Sequence, residues 1–205
     1  MMRCIRKGGA AAGGVKVNNK TKTMVGVALF TAIVVVLQMI GAAIRFGPFS
    51  VSLVLVPIVV GAAVYGWKAG LWLGFAFGVT VLISGDAGAF LAVNPLGTVL
   101  TVLVKGIGCG AAAGLVYGLL EKLNRTAAVV VSAIVCPVVN TGIFLLGCLV
   151  FFMDTISGWA AAAGYEAAGS YMILGLVGFN FIFEVVVNMI LSPIITRLIK
   201  IGKKE

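Results

Sequence analysis

The chain has 205 residues, 61% hydrophobic and 10% charged, with a mean hydropathy of +1.19. Soluble domains carry about 25% charged residues, so this composition excludes a soluble globular fold and indicates a polytopic membrane protein. The formal net charge of +9 raises an anionic partner as a possibility, which the placement of the cations decides below.

The N-terminal stretch "MMRCIRKGGAAAGGVKVNNKTKT" is basic and rich in Gly and Ala. It lacks the short apolar region and cleavage site of a signal peptide. Residues 1–22 are therefore expected to form a disordered or loosely attached cytoplasmic tail, followed by a retained first helix. Apolar runs bounded by polar residues, Gly or Pro then give six candidate spans: Met24–Ile44, Val51–Gly66, Trp67–Ser84, Pro95–Leu120, Ala127–Phe152 and Tyr171–Ile199. The second is short and contains Pro57, reaching only about 24 Å at 1.5 Å per residue. Short, interrupted spans are common near transporter binding regions.

The cations sort by side. Arg3, Arg6, Lys7, Lys16, Lys20 and Lys22 precede the first span, Lys68 follows the second, and Lys122 and Arg125 follow the fourth. Arg197, Lys200, Lys203 and Lys204 close the chain, while Arg45 alone falls on the opposite side. The positive-inside rule places both termini in the cytoplasm. The expected architecture is an all-α membrane protein, a six-transmembrane-helix bundle over residues 23–202. The basic excess follows from topology and needs no nucleic-acid partner.

Two runs carry small residues at every fourth position: Gly66, Gly70, Gly74, Gly78 in the third span and Gly106, Gly110, Gly114, Gly118 in the fourth. Such ladders let helix backbones approach closely in lipid. A shorter pair, Ala28 and Ala32, lies in the first span.

Polar residues inside the apolar runs mark the candidate site. Asn94, Thr98, Thr101 and Lys105 follow one another at spacings of four, three and four, which sets them on one helical face descending from the outer side. The last span carries Asn180, Glu184 and Asn188, four apart, and the fifth carries Asn140 and Thr141 near mid-depth. Lys105 and Glu184 come to comparable depth. An unpaired charge there costs at least ~3 kcal/mol, so both are expected to face the bundle interior. They fit either a ligand cavity or a structural ion pair braced by asparagines. Histidine is absent, and Cys4, Cys109, Cys136 and Cys148 form no CxxC pair, so no metal site or disulfide is expected. No nucleophile–base set, HExxH, nucleotide-binding loop or paired carboxylates are present. Neither an enzyme nor a cofactor is indicated.

"FGPFSVSLVLVPIVVGAAVYGWKAG" and "NPLGTVLTVLVKGIGCGAAAGLVYGLLEK", in a chain with this order of features, resemble the substrate-binding S component of an energy-coupling factor (ECF) transporter. The resemblance spans roughly residues 22–202. It implies a protein of the prokaryotic plasma membrane that captures a vitamin or related micronutrient from outside with high affinity. It also implies a transmembrane scaffold subunit and two ATPase subunits as partners. By position, Asn94, Thr98, Thr101, Lys105, Asn140, Asn180 and Glu184 become candidate substrate-binding residues. Ala28 and Ala32 become candidate scaffold contacts, with packing inside the monomer as the alternative. A buried Lys beside amides suits a carboxylate or a ring carbonyl, so pantothenate and riboflavin both fit. The competing class is a self-contained secondary transporter or channel that relays ions or protons through Lys105 and Glu184.

Overall fold

The structure, a computed structural model, describes residues 19–43, 45–46, 49–50 and 53–202. Helix α1 (Asn19–Ala43) leads to a minimal hairpin in which β1 (Arg45–Phe46) pairs antiparallel with β2 (Phe49–Ser50). Helices α2 (Leu55–Tyr65) and α3 (Trp67–Ile83) meet at Gly66, where φ is 89°, a conformation open to glycine at little cost. After α4 (Gly88–Val93) come the long helices α5 (Pro95–Leu120) and α6 (Arg125–Phe151). Then follow α7 (Met153–Ala162), α8 (Ala168–Ser170), a π-helical segment (Tyr171–Gly178) and α9 (Phe179–Gly202).

Asparagine starts both long helices. Asn94 Oδ1 accepts from Gly97 N at 3.0 Å, and Asn124 Oδ1 accepts from Thr126 N at 2.9 Å and Ala127 N at 3.1 Å. Each bond satisfies donors that a helix leaves open in its first turn.

Among the described residues, four stretches are long and apolar enough to cross a membrane: Lys20–Ala43, Pro95–Leu120, Arg125–Phe151 and Ala168–Arg197. Helices α2 and α3, with 11 and 17 residues, are apolar but reach only about 16 and 25 Å. The outside of the bundle is itself apolar: Ile83 and Leu119 are 74% exposed, as lipid contact requires. Of the cations outside the bundle interior, Lys20, Lys22, Lys68, Lys122, Arg125 and Arg197 all lie toward one end of the bundle.

Two differences from the sequence expectation have local causes. The segments read as loops between the third and fourth and between the fifth and sixth spans contain α4 and α7, because Ala-rich stretches such as "GWAAA" favour helix. The tail expected over residues 1–22 lies outside the described residues up to position 18, and from Asn19 onward the chain is already helical.

The glycine ladders fix how α3 and α5 pack. They run antiparallel with backbones in contact: a Cβ added at Gly70 would overlap the carbonyl oxygen of Gly110, and one at Gly74 that of Gly106. At Gly78 it would come 3.0 Å from the Val102 carbonyl oxygen, and at Gly114 2.6 Å from the Trp67 Cα. Gly66 and Gly118 stand apart from this contact, since nothing lies within 4 Å of a Cβ at either. Around the paired helices α2, α6 and α9 close a core that includes Ile58, Leu73, Cys109, Val129 and Ile195, all at 1% exposure or less or fully enclosed.

The ladder generates a stability test. Gly74→Ala must push the α3 and α5 backbones apart, an overpacking cost of about 1–3 kcal/mol. Gly118→Ala meets open space and is expected to be neutral or slightly stabilising. Thermal unfolding in detergent should therefore show a lower midpoint for Gly74→Ala only. Equal behaviour of the two variants would contradict the backbone contact.

Candidate functional site

At the end of the bundle opposite the cations, the polar faces of α5, α6 and α9 line an open cavity of about 170 Å³. Helix α5 enters it from its Asn94 cap, so Thr98, Thr101 and Lys105 line the wall in succession. Asn140, Thr141 and Phe144 of α6 face them, with Leu176 and Val177 of the π-helical segment and Asn180 of α9 completing the far side. The π turn is wider than an α turn, and such turns recur at functional sites. Gly147 on α6 lets Thr101 seat closely, because a Cβ there would overlap the threonine side chain.

The Lys105 ammonium is the cavity's positive charge. It lies 5.3 Å from the ring centroid of Phe144 and 5.8 Å from that of Phe77, positions where a cation is attracted to the ring face. Among the described residues it makes no salt bridge, although Glu184 and Asp86 both act on it through their fields. Two wall acceptors, Thr101 Oγ1 and Asn140 Oδ1, are enclosed without a hydrogen-bond partner in the protein. Buried polar atoms are nearly always bonded, so these two are open to a donor that enters the cavity. The arrangement offers a positive charge, unsatisfied acceptors and aromatic walls, which is chemistry for binding a polar ring or acid.

Helix α4 and the start of α7 cover the cavity. Phe90 packs edge-to-face on Phe144 at 5.6 Å, Phe152 at 5.1 Å and Trp159 at 5.4 Å. Asp86 also lines the cavity, presented by the turn at Gly85, where φ is 78°. Gln38 of α1, only 3% exposed, donates from Nε2 to Asp86 Oδ2 at 3.1 Å. Neither residue belongs to the polar stripes read from the sequence. The signals were a lone Gln in an apolar helix and one of only six acids in the chain.

The structure brings together Thr98, Thr101, Lys105, Asn140 and Asn180 on the cavity wall. Two further expected site residues stand off it. Asn94 spends its acceptor on the α5 cap, and Glu184 lies one helical turn deeper, where its Oε1 accepts from Asn180 Nδ2 at 3.2 Å. Glu184 thus touches the site through Asn180. The ion pair weighed for Lys105 and Glu184 does not form, because the ammonium points between two rings. Ala28 and Ala32 are exposed on α1 and take no part in packing the bundle interior.

The family model described as "ECF transporter, substrate-specific component" matches residues 22–196. The chain belongs to this family. A comparison with curated proteins gives no match. S components are substrate-binding membrane subunits of a transport system rather than enzymes, and membership implies micronutrient uptake through an ECF transporter. In this S component the cavity under Phe90 is lined by charged, amide and hydroxyl side chains as well as aromatic rings.

Proposed function

We propose that this S component captures a vitamin-like micronutrient with high affinity at the cavity around Lys105, and that separate ATPase subunits of the transporter power its uptake. The observation that carries this reading is the Lys105 ammonium held between two aromatic rings, in a cavity whose wall also carries the unsatisfied acceptors Thr101 Oγ1 and Asn140 Oδ1. A charge at such depth is costly without a partner. A ligand carboxylate or ring carbonyl supplies that partner, while its donors meet Asn140 Oδ1 and Thr101 Oγ1. Thr98 and Asn180 complete the contact surface, and Asn94 and Glu184 act as positioning residues. Riboflavin and pantothenate both carry suitable acceptors and donors.

In this reading six helices span the membrane, with α2 and α3 as the shorter pair, and residues 23–202 form one substrate-binding domain. Clustering of the cations at one end favours cytoplasmic termini by the positive-inside rule. The cavity then opens to the outside beneath α4 and α7. Exposed Ala28 and Ala32 give α1 a smooth strip against which a scaffold helix can pack closely.

Two measurements test this. Titration of purified protein with candidate vitamins, riboflavin and pantothenate among them, should give a ligand whose affinity falls more than about tenfold in Lys105→Met, or about 1.4 kcal/mol. Unchanged affinity in a folded Lys105→Met protein contradicts the binding role. Ala32→Trp should reduce co-purification of the scaffold subunit and leave ligand affinity intact. An intact complex would show that the alanine strip is not the contact.

A further inference from the structure

Beneath the cavity, the interior face of α9 carries Glu184, Asn188 and Ser192, none more than 5% exposed. Their donors turn back onto the helix itself. Asn188 Nδ2 donates to the Glu184 carbonyl at 2.9 Å, and Ser192 Oγ donates to the Asn188 carbonyl at 2.9 Å. Glu184 Oε1 is taken by Asn180. What remains are two acceptors, Glu184 Oε2 and Asn188 Oδ1, both enclosed and without a partner in the protein.

Helix α6 supplies a third oxygen at this depth. It runs antiparallel to α9: Asn140 and Asn180 line the same cavity, and one turn deeper Cys136 lies in the field of Glu184. One further turn along α6 brings Ser132 to the level of Asn188. Ser132 is 0% exposed, and its Oγ also has no partner. The titratable groups nearest Glu184 from other helices are Lys105 on α5 and Cys136 on α6, and α2 presents no charged side chain. Lys105 does not neutralise the carboxylate directly, since its ammonium sits between Phe77 and Phe144.

A carboxylate oxygen, an amide oxygen and a hydroxyl form a hard, all-oxygen set with one negative charge. Among the described residues no three His, Cys, Asp or Glu side chains converge, so the set does not suit a transition metal. We propose that Glu184 Oε2, Asn188 Oδ1 and Ser132 Oγ bind a single sodium ion between α6 and α9, beneath the ligand cavity. The ion joins the two helices and, through the Glu184–Asn180 hydrogen bond, holds Asn180 at the cavity wall. This site stands independently of which small molecule the cavity takes.

The test needs no substrate. Purified full-length protein in detergent is unfolded thermally in sodium chloride and in choline chloride of equal ionic strength, across a range of pH. A bound ion stabilises the folded state by mass action. Sodium should therefore raise the unfolding temperature saturably, and the rise should shrink at low pH as protons compete for Glu184. The rise should vanish in Glu184→Gln and weaken in Ser132→Ala. Stability that responds to pH but never to sodium would mean that the carboxylate takes a proton, which overturns the proposal, as does no response to either. Should Glu184→Gln fail to fold, equilibrium binding of radioactive sodium decides. Stoichiometric binding to the wild type, weakened about tenfold or more in Ser132→Ala, supports the site, and absence of binding overturns it.

Discussion

Backbone contact between α3 and α5 is the constraint on which the rest of the bundle depends. In lipid no hydrophobic force drives helices together, so close packing and small residues must do so. Glycines at Gly70, Gly74, Gly106 and Gly110 bring two helices to a separation that any side chain would prevent. That contact fixes the rotation of α5 about its axis. One face is spent on α3, and the face with Thr98, Thr101 and Lys105 is left to turn toward α6 and α9. The site's geometry is therefore a consequence of packing, with the polar stripe placed by glycines on another side of the same helix.

The polar interior divides into two levels. The upper level, around Lys105, mixes a positive charge, neutral acceptors and aromatic rings, and opens to α4 and α7. The lower level, around Glu184, is enclosed and offers oxygen acceptors. Asn180 joins them: it lines the cavity above and donates to Glu184 below. One amide thus faces both levels. Gln38 adds a lateral link, because its bond to Asp86 ties the cavity rim to α1, the helix that carries the exposed Ala28 and Ala32.

Much of this was legible in the sequence, for physical reasons. Hydropathy over spanning length located the long helices, and fourfold glycine spacing marked α3 and α5 as closely packing helices without showing that they pack on each other. The same spacing misled at Gly66, which serves a chain reversal, and at Gly118, which lies beyond the contact. Helical periodicity put Lys105 and Thr101 on one face but carried no information on where the cavity floor lies. Glu184 was grouped with Asn180 because they share a face, yet the floor falls between them. Lys105 and Glu184 were expected at comparable depth, yet Glu184 lies a turn below the cavity, and the direction of the Lys105 side chain is set by packing against Phe77 and Phe144. The Gln38–Asp86 bond joins residues 48 positions apart, and no local pattern encodes such a pairing. Asn94 was read as part of the stripe, although "NP" at a helix start is also the signature of a cap.

The central claim is that the cavity around Lys105 binds a small micronutrient. Mass spectrometry of the gently purified protein tests it most directly. The account requires a stoichiometric small molecule bearing a carboxylate or ring carbonyl, present with the wild type and depleted in Lys105→Met. A well-folded wild-type protein that carries no such molecule, and takes none up from a mixture of vitamins, would contradict it.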